Sequence, residues 1–425
     1  MNAGKLLLVA YQCGPDMGSV SQIGWEWYSR LAREHGVTLV THVRNRSALE
    51  AAGAPLPGSE IIYLDTEWFA GPLYRVAKKI FPRSEHSVFL VSSLDYFVFD
   101  FAAYRTLRKM MASGLRWSLL HRVTPVTASA PTWLGRLGLP TIIGPLNSGL
   151  QDPRGFGKVM QAESTWLIRV RSLTRLLDMA LGSSRRATRI LTASRATLQA
   201  VPEQHRNRCR MMLENGVELT RFTTSSWPAT PNGDTALRIL FVGRLIPVKG
   251  LDMLLHALAR LRMQGRPVHL DIVGDGPMRQ EWTALTDSLH LREAVEFHGA
   301  LPLSEVAMRM AECHVFCLPS VRESGGAVLL EAMACARPVI ALDFGGPGEI
   351  VTPETGVLLP LTSPEQVSAD LAATLNDIFI HPAIWQTRGM AGRTEVENRY
   401  SWPAKIASAQ ETYRELIIER NLSCC

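Results

Sequence analysis

The chain has 425 residues, of which 46% are hydrophobic and 20% charged, and its net charge is +6. This length exceeds one ordinary core and implies two domains of about 200 residues each, and the composition excludes a disordered or fibrous chain. No run of eighteen unbroken apolar residues occurs, so no transmembrane helix is expected. The seven cysteines are scattered without zinc spacing, which argues against a disulfide framework and for a reducing, cytoplasmic setting.

Short apolar runs alternate with helix-like stretches along the whole chain. Residues 5–10 are too short for a secretory signal and read as a first strand. Further strands are expected at 37–43, 61–64, 88–91, 119–123 and 141–143, then at 237–242, 268–273, 315–318 and 339–342. Runs so apolar, without polar alternation, fit strands buried on both faces of a parallel sheet, and the helical stretches between them complete βαβ units. The segment 223–234 is rich in Thr, Ser, Pro and Gly and marks a domain boundary. The expected fold is therefore α/β: two Rossmann-like domains joined near residue 230, with a cleft between them. In such sheets ligands bind beyond the carboxyl ends of the strands.

Charge is unevenly spread. Residues 154–210 hold twelve Lys or Arg against three acids, a net +9, so the rest of the chain sums to −3. This asymmetry suggests an anionic partner, membrane lipid or nucleic acid, at one face. Trp166, Val170, Leu173, Leu177 and Leu181 recur there at helical spacing, with Arg169, Arg171 and Arg175 nearby. The stripe fits either an interfacial helix on anionic lipid or an ordinary helix packed on the first domain.

The loops that follow the strands of the second half carry the chemistry. After 237–242 come Gly243, Arg244 and Lys249, just before a helix near Gly250. Two cations beside a helix start can face a diphosphate; the alternative is two solvated surface charges. After 268–273, Gly274 and Gly276 permit a tight turn and a close backbone approach to a ligand, or form a plain strand-to-helix turn. After 315–318 comes the most specific pattern, Arg322-Glu-Ser-Gly-Gly-Ala-Val-Leu-Leu-Glu331. Glu323 lies in the loop, Glu331 falls about one and a half turns into the helix, and the amides of Gly326, Ala327 and Val328 point from its start. Glu323 could then reach one end of a bound molecule and Glu331 the other, with phosphates between; the alternative is two unrelated acids. Gly345, Gly346 and Glu349 follow the next strand.

Arg244 and Lys249 in their loop, Val273-Gly-Asp-Gly-Pro277, Glu323 and Glu331 at their spacing, and Gly345-Gly346 with Glu349 together resemble the family-4 retaining glycosyltransferases. Asn215-Gly216-Val217, Gly18-Ser19 and Gly144-Pro145-Leu146-Asn147 resemble segments of the same family in the first half. The resemblance implies a GT-B fold: an acceptor-side domain over 1–228, a nucleotide-sugar domain over 229–397, and a helix in 398–425 crossing back to the first domain. It implies that Arg244 and Lys249 hold the donor diphosphate, Glu323 touches the donor sugar and Glu331 the ribose. Gly18, Gly243, Gly274, Gly326, Ala327 and Val328 would complete the donor site. His121, at the end of a strand, resembles a histidine that in the family contacts the donor sugar, or is a histidine satisfied within the loop. No metal and no cofactor beyond the nucleotide diphosphate-sugar is implied. The acceptor would be a glycan or lipid-linked glycan of bacterial surface polysaccharide or glycolipid assembly, at the inner face of the membrane. Gly325 stands where relatives carry an aromatic, and Val20 where many carry an acid.

Competing readings are a nucleotide-sugar epimerase or a phosphorylase on the same fold, or a sugar-nucleotide binding protein without turnover. Nucleic acid is not expected as a partner, because the basic segment lacks interleaved aromatics. Cys313 and Cys317 read as core thiols, and the terminal Cys424-Cys425 lacks a prenylation pattern.

Overall fold

The computed structural model describes residues 5–80, 94–150, 156, 178 and 180–423. Backbone contacts divide the chain into two units. One comprises the chain to Gly149, the stretch ending at Glu214, and the chain from Ile406; the other contains Asn215–Lys405.

The first unit holds β1 (Leu6–Ala10), α1 (Ser19–Glu34), β2 (Val37–His42), α2 (Arg46–Ala51), β3 (Glu60–Leu64), α3 (Glu67–Ile80) and α4 (Asp95–Ala112). There follow β4 (Leu119–Thr124), β5 (Thr141–Leu146), α5 (Ser183–Arg186), β6 (Arg189–Thr192), α6 (Arg195–Ala200) and β7 (Cys209–Met211). The strands form one parallel sheet in the order β3-β2-β1-β4-β5-β6-β7. β1, β2, β4 and β5 are buried along their whole length, which is why their sequences show no polar alternation. On α1 the buried Ile23, Trp27 and Leu31 recur every four residues and form its core-facing stripe.

The second unit holds β8 (Leu237–Val242), α7 (Leu251–Met263), β9 (Val268–Val273), α8 (Arg279–Ser288), β10 (Val295–Gly299), α9 (Leu303–Glu312) and β11 (Val315–Leu318). There follow α10 (Ala327–Ala334), β12 (Val339–Leu342), α11 (Pro347–Ile350), β13 (Gly356–Leu359), α12 (Pro364–Ile380) and α13 (Pro382–Glu395). Its sheet is again parallel, in the order β10-β9-β8-β11-β12-β13. The chain runs outward from β8 to β10, then returns to β11 beside β8. That reversal is the switch point at which open α/β sheets bind ligands. The last helix, α14 (Trp402–Ser423), begins among residues of the second unit and continues from Ile406 among residues of the first.

The strands expected at 237–242, 268–273, 315–318 and 339–342 form with those bounds, and β5 runs on to Leu146. The strand read at 88–91, Trp166, Val170, Leu173 and Leu177 of the stripe that ends at Leu181, and Cys424-Cys425 lie outside the described residues, whereas Leu181 is described and buried. β6, β7, β10 and β13 form without having been expected. The division falls after Glu214, ahead of residue 229, for a physical reason. The Asn215–Val217 turn is held by the second unit: Val217 N donates to Tyr400 O (3.0 Å), Trp402 N to Val217 O (3.1 Å), and Lys405 Nζ to Asn215 O (2.9 Å). The Ser-rich run beyond is also tied there, through Trp227 Nε1 on His314 O (3.1 Å) and the buried Arg337 guanidinium on Ser226 O (3.1 Å).

Among the described residues no helix is long and apolar enough to cross a membrane. Cys13, Cys313, Cys317 and Cys335 are buried free thiols, and burial pushes each of them up from the ordinary thiol range.

Candidate functional site

Four loops of the second unit meet at the carboxyl ends of its central strands. The loop after β8 packs backbone to backbone on the turn after β9. Gly243 N donates to Val273 O (3.0 Å), Leu245 N to Asp275 O (2.9 Å) and Met278 N to Leu245 O (3.0 Å). The same loop touches the start of the loop after β11, where Val321 N donates to Val248 O (2.9 Å). The loop after β12 closes on the one after β11 through Gly346 N on Glu323 O (2.9 Å).

These contacts place the sequence-marked side chains. Lys249 ends a short 3₁₀ turn and makes a close ion pair with Glu323 Oε2; both side chains are largely buried. The other carboxylate oxygen, Oε1, accepts from Gly326 N at 3.3 Å. Gly326 is the N-cap of α10, with φ at 64°, and as a glycine it makes no side-chain cap of its own. The amides of Ala327 and Val328 begin the helix, and both residues are part-exposed. Glu331 follows on the second turn. Burial raises its carboxyl to about 7, with the nearby Arg221 charge opposing the rise. Arg244 is exposed on the same β8 loop. The structure thus assembles a cation, a carboxylate, a helix start and a second carboxylate within one unit, an arrangement fitted to an anionic ligand that also carries hydroxyls.

Two expectations are corrected. Gly274 and Gly276 were open to two readings, a close backbone approach to a ligand or a plain strand-to-helix turn, and the space a Cβ would take at each is filled by protein. With φ at +133°, a Cβ at Gly274 would lie 1.9 Å from Gly243 O. Gly276 likewise faces Leu245 O, at 2.5 Å from a Cβ. Both glycines serve the packing of two loops that carry the site. His121 is the second. It lies on β4 of the first unit, wholly buried, with Nδ1 at 2.6 Å from Tyr413 Oη and Nε2 at 2.7 Å from Gly144 O. Trp27 packs edge-on to its ring at 5.0 Å. Burial lowers its pKa to about 4, so the ring is neutral. With both nitrogens engaged, His121 is a core histidine and offers nothing to a sugar.

Gly18 is the N-cap of α1, with φ at 102° and open space where a Cβ would stand. Of the basic region, the described arginines are mostly spent internally. Arg189 reaches Glu419 (3.4 Å), Arg210 reaches Glu415 (2.6 Å), Arg206 bonds Gln199 O (2.8 Å), and Arg208 bonds Arg185 O (2.8 Å).

Sequence reasoning missed Arg221, the cation nearest Glu331 in its effect, because it lies far away in the chain. It also missed a network at the carboxyl ends of β1–β3. There the buried Asp95 accepts from Tyr11 Oη (2.5 Å) and Arg44 (2.8 Å), and Arg44 also pairs with Glu67. Only three-dimensional contact reveals either, since no local motif joins these residues.

Comparison with known proteins gives the family and the fold. Residues 227–390 match the family model described as glycosyl transferases group 1. The chain is 31% identical over 345 residues, 78% of each chain, to a GDP-mannose-dependent alpha-mannosyltransferase of Mycobacterium tuberculosis. It is 33% identical over 208 residues to a GDP-mannose-dependent monoacylated alpha-(1-6)-phosphatidylinositol monomannoside mannosyltransferase of Corynebacterium glutamicum, covering 45% of this chain and 52% of that one. For several such curated relatives the chain thus spans only about half of their length. In fold it is similar to sucrose-phosphate synthase from Thermosynechococcus elongatus, with a TM-score of 0.64 at 22% identity over 98% of this chain and 100% of that one. The two parallel sheets with their helices are those of the GT-B class. The chain belongs to the glycosyl transferases group 1 family.

Proposed function

We propose that the chain is a retaining family-4 hexosyltransferase that draws its sugar from a nucleotide diphosphate-sugar. The observation that carries this reading is the meeting of Lys249, Glu323 and the start of α10 at the switch point of one sheet, with Glu331 a turn further on. Lys249 and Arg244 face the diphosphate, and the amides of Gly243, Gly326, Ala327 and Val328 add donors to it. Glu323 takes the sugar hydroxyls and Glu331 the ribose hydroxyls.

In the reaction the acceptor oxygen bonds to the anomeric carbon as the bond from that carbon to the diphosphate breaks. The acceptor proton passes to a diphosphate oxygen on the same face, and the nucleoside diphosphate leaves. Two cations and a helix start stabilise the charge that develops on the leaving group, so the transfer step is proposed to need no metal. Two relatives are named for GDP-mannose, which makes it the first donor to test. The proposed acceptor is a glycan or lipid-linked glycan of bacterial surface polysaccharide or glycolipid assembly. The proposed setting is cytoplasmic and peripheral at the inner membrane face, with the 154–210 region as the contact to anionic lipid.

Calorimetry with GDP, UDP, ADP and their sugars, in EDTA, tests the donor site on wild type and Glu331→Ala. Binding of one nucleotide class, weakened at least about tenfold by the substitution, is expected. Sugar transfer from that donor to a lipid or glycan extract completes the case. Binding without consumption of the donor points to a binding protein, appearance of the epimeric donor points to an epimerase, and no nucleotide binding at all removes the reading.

A further inference from the structure

Strands β9 and β10 pair in parallel at the edge of the second sheet, with Glu296 opposite Asp271. Side chains two apart on a strand share a face. His269 and Asp271 of β9 therefore stand beside Glu296 and His298 of β10. One ligand atom each from His269, Asp271 and Glu296 lies within 4.8 Å of the others. His298 Nε2 lies 2.6 Å from Asp271 Oδ1, and its Nδ1 lies 3.4 Å from Glu296 Oε1. Arg309 of α9 also reaches Asp271 Oδ1, at 3.5 Å.

We infer that this face is a site for a divalent transition metal such as zinc, bound by His269, Asp271 and Glu296, with His298 orienting the Asp271 carboxylate. Nothing in the proposed transfer reaction uses it. One imidazole and two carboxylates are a borderline-to-hard donor set suited to zinc, and three protein ligands leave a fourth position for water. The two carboxylates neutralise the dication. Asp271 and His298 are nearly buried on paired strands, which holds that side of the site rigid, while Glu296 is exposed at the edge and admits the ion. Arg309 compensates the Asp271 charge when no ion is bound, and its side chain, a third exposed, has solvent to turn into. The ion would clamp the edge strand to β9, whose end runs directly into the Gly274 turn; Gly274 N also donates to Gly299 O at the end of β10 (2.7 Å).

The test uses the full chain, stripped with chelator and titrated with Zn²⁺ alone by calorimetry and thermal unfolding. His269→Ala alters a half-buried ligand and Glu296→Gln an exposed one, and both spare the buried Asp271; far-UV circular dichroism checks that each variant folds, and His256→Ala, an exposed histidine on α7, is the control. We expect one equivalent to bind wild type and the control, and to raise Tm by about 5 °C at a hundredfold excess over Kd. Each ligand variant should lose at least about tenfold in affinity. No binding to wild type overturns the proposal. So does binding unchanged in both variants, which assigns the ion to thiols or to the general surface.

Discussion

In the proposed donor site Glu323 competes with the diphosphate. One of its oxygens pairs with Lys249 and the other accepts the Gly326 amide at the start of α10. A carboxylate there mimics an anionic ligand, so on the proposed reading a nucleoside diphosphate competes with it for Lys249 and the Gly326 amide. Glu323→Gln removes the competing charge and leaves Lys249 unpaired. Binding of the nucleoside diphosphate should tighten a few-fold, while turnover of the full donor falls at least about tenfold, because the sugar hydroxyls lose a charged acceptor. Calorimetry and steady-state rates on the same preparation separate the two effects; a variant that weakens nucleotide binding removes the competition argument. Glu331 carries a different prediction. Its carboxyl ionises at about 7 in the folded chain, against an ordinary value of 4.5, because burial disfavours the charge. Between those values the folded state holds a proton that the unfolded state has released. Stability is therefore lost as pH rises from about 4.5 to about 7, and the loss is complete above that range. Glu331→Gln escapes this, so its Tm relative to wild type should climb between about pH 5 and about pH 8. A difference in Tm that stays flat across that range would falsify the burial argument.

At the scale of elements, the loops that carry the site depend on glycines whose neighbours are backbone. Gly274→Ala sets a Cβ 1.9 Å from Gly243 O at a φ of +133°, and neither carbonyl nor turn can move without opening the β8 and β9 loops. Gly18→Ala meets nothing within 4 Å and bears only the backbone strain of its φ at 102°. Chemical denaturation should therefore show a loss of about 3 kcal/mol or more for Gly274→Ala and of only about 1 kcal/mol for Gly18→Ala. Equal losses would mean that φ alone sets the cost. The same contrast shows what could be read from the chain. Apolar runs such as Leu237–Val242 declared themselves as strands because both of their faces are covered. β10 stayed hidden because Glu296 and His298 break its apolar run at the sheet edge, and β7 because it is three residues long and largely exposed. Glycine, lysine and glutamate at a strand end were visible as a donor-type loop. That Gly243 packs against Gly274 was invisible, since no local pattern says which loop approaches which.

For the whole molecule, length foretold two units, and the GT-B class was what the resemblance carried by the motifs implied. Charge is less simply read. The +9 of residues 154–210 suggested an anionic partner, yet Arg189, Arg206, Arg208 and Arg210 bond to acids or carbonyls of their own unit. Arginines used in this way add stability to the fold and little to an outward field, so a count of charges overstates the field. If the region meets anionic lipid, the contact must rest on the other cations, among them Arg169, Arg171 and Arg175. Each cation near such a surface is worth about 1 kcal/mol, so replacing those three with Gln should weaken pelleting with anionic liposomes by roughly 100-fold at low salt and leave Tm unchanged. Arg206→Gln, which breaks two carbonyl contacts, should do the opposite: Tm falls and pelleting holds. Pelleting that ignores both the triple change and added salt would show that these charges serve the fold and would remove the proposed contact with anionic lipid.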